Sequence, residues 1–128
     1  MRLLLDTHVV LGLVRGSLAK QHPKIADCLA DPSTVAFVSV ASLWETAIKV
    51  RLGKLDPAMP LEDIAGYLDA IGLSILPIEM RHVIVAVDPE PETRDPFDGL
   101  LLAQCQFEEL KLVTLDSALV NHPLTLKI

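Results

Sequence analysis

Three observations predict an α/β layer fold with a mainly parallel sheet. Short apolar runs alternate with stretches whose apolar residues recur at helical spacing, the pattern of strand-helix-strand units. The run Val35 to Val40 is continuously apolar, as expected of a strand covered on both faces. Single acids stand just past several of these runs, and in open parallel sheets ligands bind beyond the carboxyl ends of the strands.

Arg2 to Leu5 is a short apolar run ending at Asp6-Thr7, after which Val9, Val10, Leu13 and Val14 recur at helical spacing. Gly16-Ser17 ends that helix. A second begins near Pro23, where proline suits a first turn, and carries Ile25, Ala26, Leu29 and Ala30 before Asp31-Pro32 stops it. Val35 to Val40 is the second strand. Ala41 to Leu52 follows as a helix with Leu43, Trp44, Ala47, Ile48 and Leu52 on a broad apolar face, and Gly53 caps it. Pro60 to Ile71 makes another amphipathic helix, closed by Gly72, and Leu73 to Ile78 supplies a third strand. Glu79 to Val87 reads as a short helix. The acidic stretch Asp88 to Pro96 holds Pro89, Pro91 and Pro96 and is the longest loop signal. The helix Phe97 to Leu110 and the strand Leu112 to Leu115 come next, then a turn or short helix at Ser117 to Val120 and a last strand Leu124 to Ile128. The count is four to five strands flanked by helices, with right-handed crossovers.

The 128 residues fit one domain spanning 1–128, long enough to bury roughly two thirds of the surface of the unfolded chain. Although 51% of residues are hydrophobic, charges interrupt them before any run of ~20 could span a bilayer. Leu3 to Val14, with Asp6 and His8 in its middle, reads as core and not as a signal peptide. Cys28 and Cys105 lack metal-ligand spacing and are too few for a disulfide framework. They point to buried thiols in a reducing cytoplasm. The net charge of -6 excludes a broad cationic footprint for nucleic acid. It leaves room for an enzyme whose carboxylates gather a divalent cation that meets the phosphate.

Four acids fall where such a site would lie. Asp6 follows the first strand, Glu45 sits in the first turns of the helix after the second, Asp98 opens the helix before the fourth, and Asp116 follows the fourth. Oxygen-only ligands suit hard cations such as Mg²⁺ or Mn²⁺. Each acid alone has a structural explanation. Asp6 and Asp116 are candidate helix N-caps, Glu45 completes a capping box with Ser42 or pairs with Lys49, and Asp98 suits the positive end of a helix dipole. Their joint placement points to a shared site. Asp98 also has Leu101, Leu102 and Cys105 three, four and seven positions later, on an otherwise apolar face. Asp95 suits loop ordering at least as well as ligation, and Thr7 and Thr114 adjoin acids that their hydroxyls can orient.

Four blocks, in order over nearly the whole chain, resemble the PIN-domain ribonucleases, closest to the VapC-type toxins of toxin-antitoxin pairs. They are Leu4-Leu5-Asp6-Thr7-His8; Ser42-Leu43-Trp44-Glu45 followed by Lys49 and Gly53-Lys54-Leu55; Arg94-Asp95-Pro96-Phe97-Asp98 followed by Leu101-Leu102-Ala103-Gln104; and Leu112-Val113-Thr114-Leu115-Asp116. The resemblance implies a PIN-like three-layer fold and a metal-dependent endoribonuclease using one or two Mg²⁺ or Mn²⁺ ions. Its acidic quartet maps onto Asp6, Glu45, Asp98 and Asp116, with Thr114 beside the last and Asp95 auxiliary. It also implies a cognate VapB-type antitoxin and a homodimer, for which the helices Pro23 to Ala30 and Pro60 to Ile71 offer apolar stripes. Similar proteins often carry a His before the Arg-Asp-Pro-Phe-Asp block and an Arg after it, where this chain has Thr93 and Gly99. A glycine usual before the fourth strand is replaced by Glu109-Leu110-Lys111.

On this reading Asp6, Asp98 and Asp116 hold metal, while Glu45 shares in coordination, binds through water or orients the attacking water. Lys49, Arg51 and Lys54 are candidates for guiding the RNA backbone, against the more ordinary reading of an exposed basic face that closes the helix dipole. The alternative is a receiver-like signalling or noncatalytic module holding Mg²⁺. Such receivers want paired acids after the first strand and a lysine after the last, and Asp6-Thr7 and Lys127 fit that poorly.

Overall fold

The computed structural model describes residues 1–128. Strand β1 (Arg2–Leu5) runs directly into α1 (Thr7–Arg15), which ends at Gly16 with φ 71°. A one-turn helix, α2 (Leu18–Gln21), precedes α3 (Pro23–Ala30). The sequence showed no sign of α2, because four residues with Leu18 as their one buried side chain are too few to show a period. Strand β2 (Val35–Ser39) passes into α4 (Val40–Arg51) without a loop, since Ser39 ends the strand and its Oγ accepts from the Ala41 N–H at 2.9 Å. Then come α5 (Leu61–Ala70), β3 (Ser74–Leu76), α6 (Met80–Ile84), α7 (Pro96–Glu108) and β4 (Lys111–Val113).

All four strands are parallel, in the order β3-β2-β1-β4. The chain builds outward from β1 to β3 and then returns past β1 to lay down β4. The order therefore reverses between β1 and β4, and the loops leaving their carboxyl ends diverge to open a crevice. The predicted last strand, Leu124 to Ile128, is reduced to one bridge between Thr125 and Leu112. Leu112 gives its N–H to Leu124 and takes one from Leu126, both at 2.8 Å, but the Thr125 N–H turns back to His122 at 3.0 Å. That turn bends the segment off the sheet after a single pairing.

Alternation along β1 assigns its side chains to two cores. Leu3 and Leu5 join Val9 and Val10 of α1, Ile25 of α3, and Ile64 and Leu68 of α5. Leu4 faces the other way, among Leu101, Leu102 and Cys105 of α7 and Leu112 of β4. Helices thus cover both faces, giving three layers. Full burial of each β1 leucine contributes roughly 2 kcal/mol. Burial also pushes the Cys105 thiol up to about 12, so it remains protonated in the core. The stripes of α3 and α5, considered above as partner surfaces, are spent on the first core. The most exposed large apolar side chains are Met80 and Ile84 of α6, at 79% and 74%.

Helix α7 stops at Glu109, which stands in the left-handed region at φ 56° while the Leu110 N–H reaches the Cys105 carbonyl at 3.0 Å. This is the position where a glycine was missing from the sequence. Left-handed backbone costs a residue with a Cβ roughly 1–2 kcal/mol, and glycine returns part of that gain as unfolded-state entropy. Glu109 is exposed and its side chain makes no hydrogen bond. Glu109→Gly is therefore expected to raise stability by about 0.5 kcal/mol in urea denaturation, whereas glycine at exposed Glu62 inside α5 lowers it by about 1 kcal/mol.

Candidate metal centre at the carboxyl edge

Asp6 leaves the end of β1 in extended geometry and serves as the N-cap of α1. Its Oδ1 accepts the Thr7 N–H at 2.6 Å and its Oδ2 accepts the Thr114 hydroxyl at 2.5 Å. Its own N–H donates to the Val113 carbonyl at 2.9 Å. These bonds join the ends of β1 and β4 across the crevice. Thr114 Oγ1 in turn accepts the Asp116 N–H at 3.0 Å, and Asp116 Oδ1 accepts from the Ala118 N–H at 2.9 Å. Both aspartates therefore do cap backbone, as their sequence positions suggested, while each keeps lone pairs for other partners.

Glu45 reaches the same edge from α4. Ser39, not Ser42, caps that helix, so the expected capping box is absent. Glu45 Oε1 instead accepts the Thr7 hydroxyl at 2.5 Å, and its Oε2 pairs with Lys49 Nζ at 2.9 Å. Thr7 thus holds two acids at once, Asp6 through its N–H and Glu45 through its hydroxyl. Arg51 and Lys54 form no ion pair and stay exposed at the helix end.

Asp98 comes from the first turn of α7 and is 7% exposed. Asp95 is the N-cap of α7, its Oδ1 accepting from the Phe97 N–H at 2.9 Å. Phe97 packs edge-on against Trp44 with ring centroids 5.6 Å apart and fastens α7 to α4. Burial pushes the Asp98 carboxyl up to about 7, helped by the charges of Asp95, Asp6 and Asp116 and opposed by a hydrogen bond to Thr93. Burial also raises Asp6; the Thr114 and Thr7 bonds and the charge of His8 work against it, while Glu45 adds to it.

Sequence reading missed two polar groups at this edge. Thr93, noted only as a departure from the family pattern, is a partner of Asp98, and its Oγ1 accepts from the Asp95 N–H at 3.2 Å. Ser42 is 1% exposed and its hydroxyl has no partner. The sequence offered Ser42 only as the capping partner of Glu45, and Ser39 takes that N-cap position instead.

The one group of three ligand-type side chains with donor atoms within 4.8 Å of one another lies elsewhere: Glu79, His82 and Glu108. It is able to offer ligand atoms, but they are already engaged. His82 Nδ1 accepts the Glu79 N–H at 2.9 Å, so the neutral ring carries its proton on Nε2, which faces Glu108 at 3.1 Å. Arg81 supplies the positive charge to both glutamates. The cluster ties α6 to α7 and holds the Glu108 carboxyl below the usual range, through His82 first. Glu108 lies 26 residues beyond His82, and no spacing revealed the group.

At the strand ends the acids stand further apart, joined by threonine bridges, with Lys49 the one cation paired among them. Carboxylates crowded enough to raise one another fit a hard divalent cation with oxygen ligands, which would offset the charge they share. A parallel α/β protein with an acidic, cation-seeking edge at its topological switch point is the class defined so far. The chain belongs to the PIN domain family, whose model matches residues 3–123. PIN domains are generally nucleases, and membership points to metal-dependent nuclease chemistry. No curated protein matches the chain. No helix is long and apolar enough to cross a membrane.

The raised Asp98 carboxyl has a definite sign. Its folded value of about 7 lies above the ordinary 3.8, so the stability it contributes is complete at low pH and is lost as pH rises through 7. In metal-free thermal melts, Asp98→Asn is expected to raise Tm at pH 8 and to have much less effect at pH 5. Divalent cation should then stabilise the wild-type protein more than the variant, and apparent cation affinity should climb with pH up to about 7 and level off above it.

Proposed function

We propose that this chain is an endoribonuclease dependent on Mg²⁺ or Mn²⁺, one or two ions, and the toxin of a toxin-antitoxin pair acting in the cytoplasm. The observation that carries the reading is the convergence of Asp6, Glu45, Asp98 and Asp116 on the crevice between β1 and β4, where burial first and its acidic neighbours second push Asp98 up to about 7. Within it, Asp6, Asp98 and Asp116 hold the cation. A bound divalent cation supplies a lowered pKa for the attacking water and offsets charge on the scissile phosphate. Thr114 and Thr7 fix the Asp6 carboxylate by its two oxygens, so that its remaining lone pairs keep one direction. Thr93 stands near enough to Asp98 to lower its carboxyl slightly, and Asp95 sets the helix start that presents it.

Glu45 enters the site with both oxygens engaged, by Thr7 and by Lys49. That favours orienting the attacking water over direct ligation among its three expected roles. Lys49 also tempers the repulsion between Glu45 and RNA phosphates, while exposed Arg51 and Lys54 guide the backbone. The receiver-like alternative finds less support. The acid after β1 is single, and Lys127 gives its ammonium to the carbonyls of Val120 and His122. A VapB-type antitoxin and a homodimer complete the reading. The exposed apolar side chains of α6 are the surface available for a partner to cover.

Cleavage of total RNA should require divalent cation and fall by roughly 100-fold or more in Asp6→Asn, the scale of removing one charge-stabilising group from an active site. Cleavage by Asp6→Asn at the wild-type rate would overturn the assignment. Reversing both exposed cations in Arg51→Glu with Lys54→Glu is expected to weaken RNA binding more at low than at high salt, and a flat salt response would remove them from the RNA path.

A further inference from the structure

A cavity of about 720 Å³ adjoins the acidic edge, and of its lining only Thr114 takes part in the mechanism above. It lies where α2 meets α3, against β4 and the last residues of the chain. Ile25, Val113 and Leu126 give it apolar walls, and one side is Thr114, the residue that donates to Asp6. Its volume falls within the range of small-molecule sites, roughly 300–1,000 Å³.

Charge separates this cavity from the rest of the surface. The chain has 17 acids against 11 lysines and arginines, yet none of the 14 lining residues is acidic, and Lys24, Lys127 and His22 stand among them. Lys24 is exposed and makes no ion pair or side-chain hydrogen bond. His22 precedes α3 without capping it, so the N–H groups of the first turn have no side-chain acceptor beside Lys24. Apolar walls, an unpaired cation and uncapped N–H groups together suit a ligand with a flat apolar body and an anionic end.

We propose that this cavity holds one nucleotide of the RNA strand next to the scissile phosphate, with its base against Ile25, Val113 and Leu126 and its phosphate at Lys24. The proposal rests on the nuclease reading, because Thr114 joins the cavity to the acids that would cut the strand. A nucleotide seated there fixes the register of the strand at Asp6. The cavity is therefore a determinant of which base flanks the cleaved bond.

The test uses the full chain carrying Asp98→Asn, in Mg²⁺, titrated with short fluorescent single-stranded RNAs and followed through its methyl resonances. The expected result is that RNA shifts the methyls of Ile25, Val113 and Leu126, and that affinity changes with the base at one position. Adding Lys24→Gln, an exposed change that leaves the core intact, should lower the slope of log Kd against log salt by about 0.7, the single-strand value for one phosphate contact. Bound RNA that leaves those methyls unmoved, or an unchanged slope, overturns the cavity assignment alone. A wild-type protein that cuts no RNA in Mg²⁺ or Mn²⁺ overturns the nuclease reading and this proposal with it. A partner protein that moves these methyls when RNA does not would make the cavity a protein site and overturn the proposal.

Discussion

The carboxylate of Asp6 is the constraint on which the site depends. It is buried at the end of the central strand, and it stays there because Thr7 and Thr114 each bring a donor to one of its oxygens. One of those donors belongs to the helix that follows β1 and the other to the segment that follows β4. Asp6 thereby fixes the width of the crevice, since its own N–H also binds the end of β4. A neutral residue of other shape would free two donors and unfasten the two sides.

The cost of this arrangement is electrostatic, and it falls on Asp98. Three nearby acids and burial all oppose its charge. The hydroxyls of Thr93, Thr114 and Thr7 orient the carboxylates without neutralising them, and Lys49 compensates Glu45 only. The edge thus keeps its negative charge at the expense of the protein's stability, a pattern expected of a functional site and one that the proposed cation would relieve. The Glu79, His82 and Glu108 cluster shows the opposite economy. Its charges are matched by Arg81 and its ring nitrogens are both used, so it fastens two helices and asks for nothing more.

Much of the fold was legible because the sheet is parallel and doubly covered: its strands read as apolar runs and the longer helices showed their period, while the single turn of α2 was too short to show one. Asp98 was legible as an acid on an apolar face, and Asp6 and Asp116 as acids past strand ends. Thr93 was not, because its partnership with Asp98 depends on how the proline-rich loop returns to α7. Glu109 hid a left-handed helix end that glycine would have announced. The last strand misled because Leu124 to Ile128 has strand composition while the turn at His122 to Thr125 allows it a single pairing. The apolar stripes of α3 and α5 could not be assigned to core or partner before their neighbours were known.

Two places in the molecule offer ligand-type side chains, and the account assigns the cation to the one with uncompensated charge. Anomalous diffraction from crystals soaked in Mn²⁺ distinguishes them directly. The account predicts a peak at the carboxyl edge, within ligand distance of Asp6 and Asp98, that disappears in Asp98→Asn. A peak held by Glu79, His82 and Glu108 with none at Asp6 would contradict it.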